Sequence, residues 1–200
     1  MTIALAGLLA GIVHVLSGPD HMAAIAPYAV RDKARSWGTG ARWGLGHATG
    51  VLGVGFLVLL TRHAIPVDAL SAHSELAVGI VLIGIGVWGM RAALRGQERH
   101  RHGHGRAAIA VGALHGLAGS SHLLGIVPAL ALPSDGAAAA YLLCFGAGSV
   151  VSMGGFSSCI GWIADRRIVG GGGGQRALLG VSSVIATAVG AFWFFSRIHP

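Results

Sequence analysis

Six segments of this chain are each long and apolar enough to cross a lipid bilayer as an α-helix, which needs about 20 mostly apolar residues. Charged residues make up 10% of the chain, against about 25% in an average soluble domain. The sequence therefore predicts an all-α integral membrane protein that forms one membrane domain, residues 1–200. The predicted spans are 3–29, 41–61, 74–95, 107–132, 136–164 and 177–197.

Basic residues are concentrated in every second loop between these spans. Only Arg62 and Arg197, of 14 Lys and Arg residues, belong to the other side. Because basic loops stay in the cytoplasm, we predict an inner (cytoplasmic) membrane protein with both termini outside. The segment 96–106 is then a cytoplasmic His/Arg-rich loop, and the run Gly170–Gly174 is predicted to be a flexible linker. The net charge of +7 comes from these loops, so we predict no nucleic-acid partner.

A polar motif occurs twice in these apolar segments. His14 to Pro27 reads H-V-L-S-G-P-D-H-M-A-A-I-A-P, and 101 positions later His115 to Pro128 reads H-G-L-A-G-S-S-H-L-L-G-I-V-P. Similar composition is the competing explanation, since 34 residues are glycine, but the equal spacing of both histidine pairs favours a duplication. Three predicted spans separate the copies, so the second copy is inverted. We therefore predict two inverted three-helix repeats, about 1–100 and 101–200.

The first motif contains a helix break. Pro19 lacks the N–H that bonds four residues back, and Gly18 allows an unwound turn. The sequence predicts a broken first helix in each repeat, an unpaired Val15 carbonyl, and Pro19 in the first turn of the next helix. The break draws His14, Asp20 and His21 together. Freed backbone groups at this depth line a cavity or find protein partners.

Imidazole nitrogens with a carboxylate suit nickel, cobalt, copper, zinc or iron(II). Ser121 replaces the aspartate in the second motif, so His115 and His122 either complete the first site or form a transfer position. His47, in W-G-L-G-H, is the further contributor, and this segment corresponds to F-G-A-G-S at 145–149. The predicted metal ligands are His14, Asp20, His21, His47, His115 and His122. The competing interpretations are histidines that bond backbone carbonyls between helices and a proton relay. The loop histidines His100, His102 and His104 are either a weak metal-binding tract or solvated.

These motifs resemble those of the nickel/cobalt transporter superfamily, and most closely its small six-span branch of urease-accessory (UreH-like) and hydrogenase-accessory (HupE-UreJ-like) permeases. The resemblance covers essentially the whole chain and rests on the His14 motif, W-G-L-G-H and H-G-L-A-G-S-S-H. Five residues separate His14 from Asp20, where the longer permeases have four. The resemblance implies transport of Ni²⁺, with Co²⁺ as competitor, at His14, Asp20, His21 and His47. Importers and exporters both occur in the family, so direction stays open.

Together these features predict a permease with no prosthetic cofactor, whose substrate is a divalent transition-metal ion and whose partner is the lipid bilayer. A homo-oligomer is compatible with them. Two other classes use the same residues. A proton-coupled carrier of another solute would employ the histidines as a relay, and a membrane metalloenzyme would need an open coordination position. No nucleophile or cofactor motif in the sequence supports the enzyme.

Overall fold

The computed structural model describes residues 1–61, 67–95, 104–117, 120–166 and 172–198, without the side chains of 58–61, 67–74, 104–105, 120–124 and 197–198. Nearly all of these described residues are helical and none is in a strand, which confirms the all-α prediction. The helices are α1 (Thr2–Ser17), α2 (Pro19–Arg31), α3 (Ser36–Thr61), α4 (Val67–Arg95), α5 (His104–Leu117), α6 (Ser120–Leu130), α7 (Asp135–Asp165) and α8 (Gly172–Ile198). A short 3-10 helix, Lys33–Arg35, joins α2 to α3.

Three helices within the described residues are long and apolar enough to cross a membrane. They are Glu75–Arg95 of α4, α7, and Gly172–Ser196 of α8. The pair α1 and α2 passes the same test as one span that bends by 75°. The other two predicted spans, 41–61 and 107–132, correspond to α3 and to the pair α5 and α6, and they are not among these. The described helices therefore give three or four of the six predicted spans.

The distribution of side chains is that of a protein surrounded by lipid. Large apolar residues are exposed along the outer faces of α1 and α8, including Leu9, Val184 and Phe192. Polar side chains such as His21 and His47 are buried instead. Water would favour the reverse arrangement, whereas hydrocarbon favours this one, because buried polar groups must find protein partners there. The protein is a membrane protein.

The helices recur in the same order in the two halves of the chain. An offset of about 101 residues places α1 to α4 on α5 to α8, in sequence. The helix ends correspond too: α1 ends at Ser17 and α2 begins at Pro19, while α5 ends at Leu117 and α6 begins at Ser120. Each half thus contains two shorter helices followed by two long ones.

Glycines let the first helix of each half contact the third helix of the other half. A Cβ on Gly11 of α1 would clash with the carbonyl oxygen of Phe145 on α7, and a Cβ on Gly112 of α5 would clash with that of Trp43 on α3. Gly112 lies 101 residues after Gly11, and Phe145 is the counterpart of Trp43 in the motif alignment. The two crossings are therefore equivalent, and small residues set both, as in many membrane helix pairs.

The third helices of the two halves, α3 and α7, contact each other in a reciprocal way. A Cβ on Gly44 would lie 2.8 Å from the Cα of Val150, and one on Gly146 would lie 3.2 Å from the Cβ of Ala48. Along the chain, the α3 positions rise while their α7 partners fall, so the helices run antiparallel. The helices α4 and α8 also cross at glycines, since a Cβ on Gly79 would lie 2.9 Å from the Gly190 carbonyl oxygen.

Helices begin within two segments that were predicted to be loops. The run Gly170–Gly174 was predicted to be a linker, but α8 begins at Gly172. The side chain of Gln175 donates to the Val30 carbonyl at 3.1 Å, and this tertiary contact outweighs the low helix propensity of glycine. The cytoplasmic loop 96–106 stays a prediction, and α5 begins within that segment, at His104. His100 and His102 lie outside the described residues, as does the side chain of His104.

Candidate metal centre

The site forms at the break between α1 and α2. Gly18 lies between the helices with extended backbone angles, φ −91° and ψ 103°, and Pro19 occupies the first turn of α2 as predicted. The proline ring has no N–H for the helix bond, and its fixed φ suits a helix start. The 75° bend that results turns α2 away from the axis of α1, so residues on both sides of the break face one region.

Two carbonyls at the break accept local hydrogen bonds, which corrects one prediction. The Val15 carbonyl was expected to be unpaired, yet it accepts from the Gly18 N–H at 3.3 Å. The Ser17 hydroxyl donates to the His14 carbonyl at 3.1 Å. The hydrogen bond from Gly18 joins residues three apart, as in a 3-10 turn, and replaces the α-helical bond to Val15 that Pro19 cannot make. Two carbonyls at the end of α1 are therefore bonded within the break itself.

Three histidines from three helices converge at this break. Ring nitrogens of His14 (α1), His21 (α2) and His47 (α3) all lie within 4.8 Å of one another. Two nitrogens that bind one ion at about 2.1 Å are at most about 4.2 Å apart, by the bond lengths of zinc sites. Small side-chain rotations would therefore close these rings on a single ion. We call these three residues the three-histidine cluster.

The rings of the cluster pack closely. The His21 ring centroid lies 4.9 Å from that of His14 and 4.8 Å from that of His47, nearly perpendicular to both. His14 and His47 lie 5.5 Å apart with an angle of 16° between their planes. His21 and His47 are fully buried. Imidazole nitrogens are a suitable donor set for a borderline transition metal.

Asp20 contacts the ring of His21 and does not belong to the three-histidine cluster. Its Oδ1 lies 3.0 Å from the His21 Nδ1. An ionised carboxylate only accepts hydrogen bonds, so Nδ1 carries the hydrogen in this pair. Metal-binding histidines are commonly fixed by a carboxylate in this way, which also raises their basicity. Asp20 was predicted as a metal ligand, and that role stays a prediction; in this structure its carboxylate contacts the His21 ring.

Gly18 is required by the close approach of His21. A Cβ at this position would clash with the His21 ring at Nδ1 and lie 3.0 Å from the Asp20 Oδ1. Its φ is ordinary, so space and not backbone strain demands the glycine. Gly18 therefore has two effects: it allows the helix to break, and its lack of a side chain leaves room for the His21 ring.

His115 lies beside the cluster but outside the set of mutually close nitrogens. Its ring centroid is 6.1 Å from that of His21. Its Nδ1 donates to the Val111 carbonyl of its own helix at 3.2 Å. The structure thus brings His115 to the same region, on the helix that matches α1. His122 is on α6, and its side chain lies outside the described residues.

Two aromatic residues beside the histidines were not predicted. Trp43 stacks on His47 with centroids 5.4 Å apart and an angle of 14°. Phe145 lies 5.3 Å from His14. Both are fully buried, and both begin the segments W-G-L-G-H and F-G-A-G-S. The sequence signal that could have found them is that they occupy equivalent positions in the two matched segments.

Glu75 is a third residue that sequence reasoning missed. It is 1% exposed on α4, one turn before Val78, which packs in the same apolar cluster as Val15 and Trp43. An ionisable side chain buried in an apolar membrane helix is expensive and usually functional. Its position at the start of the predicted span 74–95 was the signal.

Comparison with known proteins gives relatives of two kinds. The chain is 34% identical to chloroplast protein FOR GROWTH AND FERTILITY 1 of Arabidopsis thaliana, over 95% of this chain and 58% of the relative. It is 36% identical to chloroplast protein FOR GROWTH AND FERTILITY 2 of the same plant, over 80% of this chain and 47% of the relative. The chain spans about half the length of these plant relatives.

A bacterial relative matches nearly end to end. The chain is 27% identical to urease accessory protein UreH of Bacillus sp. (strain TB-90), over 95% of this chain and 89% of the relative. No protein-family model matches the chain, and no solved structure matches it significantly. The similarity to UreH agrees with the resemblance of the motifs to urease-accessory proteins.

Proposed function

We propose that this chain is a permease of the nickel/cobalt transporter superfamily, in its small urease-accessory branch, and carries a divalent transition-metal ion across the membrane. The substrate is Ni²⁺, with Co²⁺ as competitor. The observation that carries the proposal is the three-histidine cluster, buried at a helix break in a membrane protein. The similarity to a urease accessory protein supports a nickel-related role.

The proposed architecture is six spans in two inverted repeats, with both termini outside. The reciprocal glycine contacts support it. Exchanging the halves turns the contact of Gly44 with Val150 into that of Gly146 with Ala48. Because α3 and α7 run antiparallel, the axis that relates them is perpendicular to both helices. If these helices span the bilayer, that axis lies in the membrane plane, as in many secondary transporters.

The three histidines supply the binding chemistry. They replace water around the ion with neutral nitrogen ligands, while Asp20 holds His21 with Nε2 as its ligand atom. Three protein ligands leave coordination positions for water or for the next ligand. This favours a site that releases its ion over one that keeps it. His115 and His122 then serve as further ligands along the route.

The membrane potential suffices as the driving force for import. Moving one charge inward across 100 mV gains about 2.3 kcal/mol, and a divalent ion gains twice that. Export would need a coupling ion, for which histidines are suitable proton carriers.

Flux of Ni²⁺ into proteoliposomes under an imposed potential tests this function. The native chain should take up Ni²⁺, uptake should stop when the potential is reversed, and His14→Ala and Asp20→Ala should lose most of it while remaining folded. Native protein that moves no Ni²⁺ or Co²⁺, but moves another solute under a pH gradient, would contradict the proposal and favour the proton-coupled carrier.

A further inference from the structure

Trp43 contacts histidines of both halves. Besides stacking on His47, its ring centroid lies 5.1 Å from that of His115 and 5.7 Å from that of His21. It is 0% exposed. Within the described residues its indole N–H has no protein hydrogen-bond partner. The contacts are therefore ring packing, with nothing in the described residues that anchors the indole nitrogen.

His115 is held in place by its own helix and by close helix packing. The Val111 carbonyl accepts from its Nδ1 at 3.2 Å. On the next turn, a Cβ at Gly116 would clash with the His47 carbonyl oxygen, so α5 and α3 are already in backbone contact at this level. His115 cannot approach the cluster by a shift of its helix. Its ring has to move, and the indole of Trp43 is in contact with that ring.

We propose that Trp43 is a positioning residue that keeps His115 out of the three-histidine cluster, which makes His115 a separate station for the metal ion. This rests on the proposed function, because it divides the same site into two. The ion is held first by His14, His21 and His47. When the indole moves, the ion passes to His115 along the side of His21. The His21 ring belongs to the three-histidine cluster and also lies beside His115.

The separation has a chemical purpose. An ion held by four imidazoles at once would bind more tightly and leave more slowly. Keeping the fourth ring apart lets the ion exchange one ligand set for another. The second half has Phe145 where the first has Trp43, and Phe145 packs on His14. The larger ring, the indole of Trp43, thus lies beside His115, the histidine that is kept out of the cluster.

Equilibrium binding of Co²⁺ to purified full-length protein, followed by calorimetry and visible absorption, tests this division. Trp43→Leu removes the ring and retains apolar volume, and Trp43→Phe is a second variant with a milder change. We expect Trp43→Leu to bind Co²⁺ tighter by on the order of 10-fold, because a fourth imidazole beside the ion acts at high effective concentration. Trp43→Phe should show a smaller gain, and transport turnover should fall in both.

The double variant Trp43→Leu/His115→Ala distinguishes this role from packing alone. It should return to native affinity, and His115→Ala alone should change affinity less than about 3-fold, because His115 lies outside the native ligand set. Trp37→Leu, at an exposed position on the same helix, is the matched control and should bind as the native chain does.

Weaker or unchanged binding in both Trp43 variants would overturn this inference, as would a gain that persists without His115. The proposed function fails differently. If the native protein binds no Co²⁺, or His47→Ala leaves binding intact, the three-histidine cluster is not the metal site and both proposals are wrong.

Discussion

His14 and His115 occupy equivalent positions in the two halves, but only His14 belongs to the three-histidine cluster. Each lies against the aromatic residue of the opposite half, at 5.3 Å from Phe145 and 5.1 Å from Trp43. Their helices cross the opposite half at equivalent glycines. The helix crossings are thus similar in the two halves, whereas the three-histidine cluster contains side chains of the first half only.

The inequality comes from a few substitutions between the halves. Where the first half has Asp20, the second has Ser121, and where the first has His47, the second has Ser149. Ser149 is fully buried and donates to the Phe145 carbonyl of its own helix at 3.0 Å. A hydroxyl used in this way adds no soft ligand. The first half is therefore expected to bind the ion.

Replacing His47 should have the largest effect. His47→Ala removes one of the three proposed ligands, and we expect affinity for Ni²⁺ to fall by more than about 100-fold, given that removing even supporting residues costs 10–100-fold. Ser149→Ala changes the equivalent position in the other half. Because Ser149 is outside the three-histidine cluster, this variant should bind within about 2-fold of the native protein. Calorimetric titration of both variants measures the contrast. Equal losses would mean that the halves share the site evenly.

Replacing Asp20 should have the next largest effect. Asp20→Asn keeps the size of the side chain but removes the charge that fixes His21, so affinity should fall about 10- to 100-fold. Ser121→Ala is the matched control and should alter affinity little. Binding isotherms at fixed pH give both numbers. Native affinity in Asp20→Asn would show that the carboxylate does not support the ligand.

Filling the space at Gly18 should reduce binding more modestly. A methyl group there displaces the His21 ring, so Gly18→Ala should lose roughly 10-fold in affinity, less than removal of a ligand. Gly53→Ala is the control, because a Cβ at Gly53 has nothing within 4 Å. Both variants are compared by metal titration. An unaffected Gly18→Ala would show that the ring position is not critical.

The smallest effect on binding should come from the helix crossings, where stability is the better readout. Gly11→Ala and Gly112→Ala each force a methyl against a backbone carbonyl, and each should destabilise the fold by about 1–3 kcal/mol. Thermal unfolding in detergent would measure this. Because the crossings are equivalent, the two losses should agree. A large loss in one alone would contradict the duplicated packing.

Local chemistry made the helix break predictable from the sequence. Pro19 and Gly18 define it through backbone properties that do not depend on the rest of the fold. The same holds for the convergence of His14 and His21. The prediction that the Val15 carbonyl is unpaired failed because this carbonyl accepts from the Gly18 N–H in a tighter turn. The absence of an N–H on Pro19 does not indicate that another N–H takes its place.

The arrangement around the break depends on contacts distant in sequence. His47 was expected from its motif, but its distance from the break is fixed by helix crossings such as that of Gly112 on Trp43. Trp43 itself was missed because an aromatic residue in an apolar segment usually indicates packing. The start of α8 was missed since its anchor, Gln175 on Val30, joins residues 145 positions apart.

X-ray absorption at the Ni edge, on metal-loaded native protein, His47→Ala and His115→Ala, is the most direct test of the central claim that one ion is held by His14, His21 and His47. The native spectrum should show three imidazole nitrogens at about 2.1 Å, by analogy with zinc–nitrogen distances. His47→Ala should lose one, and His115→Ala should lose none. An unchanged spectrum for His47→Ala, or the loss of an imidazole in His115→Ala, would contradict the account.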